Sequence, residues 1–191
     1  MRAYFLVAAL ALAGCQSADE RRAAETGEVQ ITNASMNDVT RLTKAARPKT
    51  LMQPGEWRTA LHVVAADLSA IPEGPARDRQ MAAIKEQERN AQKCATADDL
   101  KPLNIDNLEQ VTGASCTFPH YIQAGGKLDA EIHCGDGANR TVLVATGTLS
   151  QTRYDVTIQQ TTGAKGAANY LGLTLRAEGE RTGNCVAKPK N

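Results

Sequence analysis

Three histidines, His62, His120 and His133, are the side chains of this 191-residue chain best placed by chemistry to move a proton or hold a metal near neutral pH. His62 and His133 fall on the polar side of alternating segments. If the strands that carry them paired, the two rings would approach each other, and a hydrolase-like centre would need a carboxylate to converge on them; Glu131 and Asp155 read as strand carboxylates on a wet face. The rest of the machinery is missing. There is no G-x-S-x-G and no H-E-x-x-H. Asp98-Asp99 reads as a backbone cap, and Gly163-Ala164-Lys165-Gly166 lacks the spacing of a phosphate loop. The ordinary role of such histidines is a solvated position on a strand. No catalytic residue, metal site or cofactor is therefore expected.

Cysteine offers a different chemistry. Met1-Arg2 opens the chain with a charge, an apolar run follows to Ala13, and Leu12-Ala13-Gly14-Cys15 closes it. The run is too short to span a bilayer, which takes about 20 apolar residues, and it has the form of a secretory signal. Its last four residues resemble the bacterial lipobox, which implies cleavage after residue 14 and acylation of the Cys15 sulfur, with palmitate-type chains as the anchor. Several chains hold a protein stably where one does not. Gln16 follows in place of the Asp that commonly retains such proteins at the inner membrane. The expected location is the cell envelope, at the outer membrane and facing the periplasm.

Cys94, Cys116, Cys134 and Cys185 remain, an even number for a compartment that permits disulfides. Four cysteines allow three pairings. Cys116 and Cys134 flank the Gly125-Gly126 turn at similar distances, so they would face each other across a hairpin. Cys94 and Cys185 are then left to pair. Zinc is disfavoured, because no two cysteines show the close spacing of a metal clip.

The elements that must position these residues follow from pattern. Residues 15–28 are polar and charged and read as a flexible tether. Residues 29–50 read as a helical lead-in, with a short extended piece and then a helix over 36–46 that Pro48 ends. Trp57, Thr59, Leu61, Val63 and Ala65 alternate with polar neighbours as one face of a strand. Residues 76–93 hold no Gly or Pro and are rich in helix formers, which predicts one long helix with Met81, Ile84 and Ala91 as its apolar stripe. From residue 115 onward, alternating runs between glycine turns predict an antiparallel meander. The fold class is α+β or mostly β: a curved antiparallel sheet of about six strands with one long helix packed against it. Residues 51–187 would form a single disulfide-bonded domain, with 188–191 as a tail.

Composition narrows the partners. Lys and Arg number 22 against 21 Asp and Glu, and aromatic residues are 4% of the chain. Neither a basic footprint nor a stacking platform is available, so nucleic acid is excluded as a partner. Trp57, the lone tryptophan, is the candidate pocket-lining residue should the sheet and helix enclose an apolar cavity; core packing is its ordinary use.

The order of these features carries a resemblance. Pro54-Gly55-Glu56-Trp57 opens a strand, and Cys94-Ala95-Thr96-Ala97-Asp98 follows the helical segment. Gly147-Thr148-Leu149 leads into Tyr154-Asp155-Val156-Thr157-Ile158, and Arg181-Thr182-Gly183-Asn184-Cys185 closes the set. The chain resembles a lipoprotein member of the bacterial domain-of-unknown-function family 3617 over residues 51–185. Many members are rich in methionine in the meander, whereas this chain has four in all, so no role for methionine carries over. The resemblance implies a fold and an envelope location but no reaction. Three function classes remain. The first is a non-enzymatic envelope module that binds a small apolar ligand or a partner protein. The second is a structural or adaptor lipoprotein, and the third is a hydrolase-like enzyme that needs His62 and His133 together.

Overall fold

The structure is a computed structural model that describes residues 17–96, 99–100 and 115–185. The signal, Cys15 and the C-terminal tail lie outside the described residues. One open antiparallel sheet of eight strands dominates, where about six were expected, because β1 and β3 join its edges by non-local pairing; with three α-helices among the described residues the chain is mostly β. The strands are β1 (Val29–Ser35), β2 (Gly55–Asp67), β3 (Arg89–Ala95), β4 (Cys116–Ala124), β5 (Lys127–Cys134), β6 (Thr141–Leu149), β7 (Arg153–Thr162) and β8 (Leu171–Gly183). Their order across the sheet is β1-β4-β5-β6-β7-β8-β2-β3. The expected meander forms its centre as four successive hairpins. β1 adds to one edge, while β2 and β3 add to the other.

Strand alternation gives the sheet a dry and a wet face. Phe118, Tyr121, Leu128, Ala130, Ile132, Leu143, Ala145, Tyr154, Val156 and Leu173 are buried on the dry face. Helix α2 (Met36–Thr50) covers its β1 half through Val39, Leu42 and Ala46. Helix α3 (Pro75–Lys85) covers the β8–β2 half with Ile84 and Met81 against Leu173. Among the described residues no helix is long and apolar enough to cross a membrane.

Four expectations need correction. The stretch read as a flexible tether contains helix α1 (Ala18–Thr26). Its signal was local: Ser17 and Glu20 form a capping box, and Gly27 at φ 76° ends the helix in the left-handed region. A nine-residue helix is marginal alone, and burial of Ala23 against α2 supplies the rest. The lead-in helix does not stop at Pro48 but runs on to Thr50, because proline so near a C-terminus forfeits a single backbone hydrogen bond. The extended piece before it is a full edge strand, β1.

The one long helix over 76–93 is the fourth. It ends at Lys85, and residues 89–95 form β3. Helix formers populate β3, yet its backbone pairs with β2 from Gly55↔Ala95 to Leu61↔Arg89. A non-local ladder thus overrides local propensity. Ala91, expected on the helix stripe, lies exposed on β3.

Both expected disulfides are present, Cys116–Cys134 and Cys94–Cys185, with Cα separations of 4.1 and 5.3 Å. The first joins directly opposed residues of β4 and β5. The second carries the chain after β8 across the start of β2 to β3. That crossing fixes Gly55, whose φ is 154° and where an added Cβ would collide with the Gly183 carbonyl oxygen.

Candidate functional site

All three histidines lie on the wet face. His120 owes this to a bulge. Between the pairs Thr117↔His133 and His120↔Glu131, β4 carries two residues opposite one of β5. Without the extra residue, His120 would share the inward face of Cys116 and Phe118. Pro119 sits in the bulge, where a missing N–H costs least, and Asn33 on β1 answers it with φ 50°.

The structure does not bring His62 and His133 together. His62 is on β2 and His133 on β5, with β6, β7 and β8 between them. His133 instead shares Glu131 with His120. Its Nε2 lies 2.5 Å from Glu131 Oε1, while His120 Nδ1 is 3.9 Å from Glu131 Oε2 and His120 Nε2 is 3.1 Å from Asp129. Arg140 donates to His133 Nδ1. Sequence reading missed this pairing because the β4 bulge that creates it has no signal beyond Pro119. Among the described residues no group of three or more His, Cys, Asp or Glu side chains is placed to hold a metal.

Trp57 is packed in the core and does not line the groove over β7, β8, β2 and β3. It is 0% exposed and stacks on Tyr154 with centroids 6.2 Å apart, and its indole N–H donates to the Gln53 carbonyl at 2.9 Å. Met52, Ala95 and Leu100 complete the cluster. Tyr154 in turn lies over Gly179 of β8, whose missing side chain leaves room for the ring. Burial raises the Tyr154 phenol above its ordinary value. Among the described residues the exposed large apolar side chains are Leu51, just after α2, Val64 on β2 and Ile122 on β4.

One concavity among the described residues is polar. A groove of about 650 Å³ runs over β7, β8, β2 and β3. Register explains it. Arg153, Glu180, Arg58 and Gln92 form one wet-face row across the four strands, and Glu178, Ala60 and Asn90 form the next. Small Ala60 between longer neighbours leaves the depression. Arg58 Nη2 meets Glu180 Oε2 at 3.1 Å. His62 Nε2 lies 3.6 Å from Glu178 Oε1. Behind them Arg176 grips Asp155 with two hydrogen bonds, 2.9 and 2.6 Å, and reaches Glu178 at 3.2 Å. The Arg176 hydrogen bonds hold the Asp155 carboxyl below the usual carboxylate range. Donors and acceptors of both signs thus line an open trough. Nothing in the local pattern of Arg58, Arg153 or Glu180 could have flagged it, since residues 58, 153 and 180 meet only through pairing across β2, β8 and β7.

A family model described as "Protein of unknown function (DUF3617)" matches residues 52–185. The chain belongs to the DUF3617 family. The match runs from Met52 to Cys185, so it takes in β2 to β8, both disulfides and the whole groove, and leaves out α1, β1 and α2. In this member those outlying elements cover half of the dry face. Comparison with curated proteins and with solved structures finds no match in either.

Proposed function

We propose that this DUF3617 protein is a lipid-anchored module of the bacterial envelope, acylated on Cys15 and facing the periplasm from the outer membrane. Its role is to bind a partner protein without catalysis, through the groove over β7, β8, β2 and β3. The groove carries this reading: an open, mixed-charge trough about 650 Å³ in volume beside a sheet edge suits a polar protein segment. A small apolar ligand, the other occupant the sequence allowed, has no comparable support, because Trp57 is packed into the core. The Leu12-Ala13-Gly14-Cys15 signature supports the anchor.

The test is photo-cross-linking in intact cells from an unnatural side chain at Gln92, with Gln159 on the far part of the wet face as control. Discrete adducts from Gln92 that vanish in a folded Glu178→Arg/Glu180→Arg variant support the groove. Equal adducts from both positions, or none from Gln92 in a correctly localised chain, overturn it. Acyl mass on the N-terminal peptide tests the anchor separately.

A further inference from the structure

The structure sets how far an anchor on Cys15 can hold the domain from the lipid. α1 begins at Ala18, and Ser17 is its cap. The cap is fixed from both sides: Ser17 N–H donates to Glu20 Oε2 at 2.7 Å, and Glu20 N–H donates to Ser17 Oγ at 3.2 Å. Arg41 of α2 then clamps it, reaching Glu20 at 3.2 Å, Ser17 Oγ at 3.3 Å and Asp38 at 3.1 Å. At the other end, an added Cβ on Gly27 would press on Lys49 Cβ at 2.7 Å, so α1 and α2 lie in contact and run parallel, with β1 returning the chain between them. Two residue steps separate Cys15 from Ser17, and two steps reach at most about 7 Å, whatever their conformation. A flexible segment over 15–28 would instead have spanned about 20 Å on average.

We propose that the end of the molecule carrying Ser17, Asp38 and Arg41 lies against the bilayer surface, and that α1 is a rigid foot which fixes the domain's orientation. This rests on Cys15 as the anchor point. The same end holds the last residue of β1, Ser35, and by register Thr117, Cys134, Thr141, Thr162 and Leu171. The groove is at the opposite corner. β3 is the far edge of the sheet from β1, and Arg153 stands nine residues along β7 from Thr162, about 30 Å at strand rise. The anchor therefore turns the groove away from lipid, toward partners in the aqueous phase.

Cys15 is the one cysteine outside the two disulfides, which allows a direct test. The chain beginning at Cys15 is coupled through its thiol to maleimide-headgroup lipid in phosphatidylethanolamine–phosphatidylglycerol vesicles that carry a nitroxide-headgroup quencher. A fluorophore is introduced by unnatural amino acid at Asp19 or at Gln92. At least fivefold stronger quenching at Asp19 is expected. Insertion of twelve Gly/Ser residues between Gln16 and Ser17 should bring the ratio toward one. Equal quenching without the insertion, or a ratio that the insertion leaves unchanged, overturns the rigid foot. Absence of acyl mass on Cys15 in chain taken from cells would overturn the natural anchor and leave the coupled-vesicle result to stand on its own.

Discussion

The two edges of the sheet are built by opposite means. At the β1 edge, Val29 and Ala34 are buried, and α2 roofs them with Val39, Leu42 and Ala46. At the β3 edge, six of seven residues are exposed and only Ala95 is buried. β3 is kept in place by its ladder to β2 and by the Cys94–Cys185 bond. One edge is held by burial, the other by hydrogen bonds and a covalent staple. A strand that contributes little to the core is free to present its side chains, and the groove lies there. Arg89 and Lys93 on such an edge also discourage pairing with a second sheet.

The largest expected effect breaks the staple. Cys94→Ser with Cys185→Ser opens a loop of sequence separation 91, which the chain-entropy estimate values at about 4–5 kcal/mol. Denaturant melts should show that loss, and hydrogen exchange should rise first over residues 89–95. Uniform exchange across the sheet would mean that β3 is held by more than its staple. The covered edge is tested next. Leu42→Ala should cost about 2–5 kcal/mol, since Leu42 is 2% exposed within the largest cluster. Its exchange signature should centre on α2, β1 and β4 and spare β3.

Gly55→Ala probes the crossing between β8 and β3 and should cost about 1–3 kcal/mol, since a strained φ persists only when its surroundings impose it. A thermal melt at unchanged stability would show that the chain after β8 can move aside. The smallest effect concerns acid. The folded Asp155 pKa lies below the unfolded one, so the stability from its link to Arg176 is present above about pH 4, the unfolded carboxylate range, and is lost as pH falls through the lower folded value. Asp155→Asn should cost under about 1 kcal/mol at neutral pH, as a half-exposed pair does. Its difference from the parent should shrink below pH 4. A constant difference down to pH 2 would assign the effect to packing.

The meander was legible because its information is local. Gly125-Gly126 and Ser150-Gln151 mark turns between alternating runs, and each hairpin closes on its immediate neighbour. The Cys116–Cys134 pairing followed from the same local symmetry, with the two cysteines at similar distances from one turn. α1 was legible in principle, since Ser17 and Glu20 carry the capping box, but the charged, alanine-rich composition of its residues outweighed that signal. β3 was not legible, because Arg89 to Ala95 prefers a helix until β2 offers a ladder.

The sequence by itself determined the hairpin order of the meander and pointed to both disulfide pairings. The hairpins and Cys116–Cys134 depend on residues near one another in the chain, and Cys94–Cys185 was the pair that remained. Tertiary structure alone decided that β2 and β3 close the far edge, that His133 meets His120 and not His62, and that Arg58, Arg153, Glu178 and Glu180 share a trough. Each of these depends on which strands pair across long stretches of chain and in what register. A bulge of one residue at Pro119 changes the outcome by turning His120 from one face of the sheet to the other.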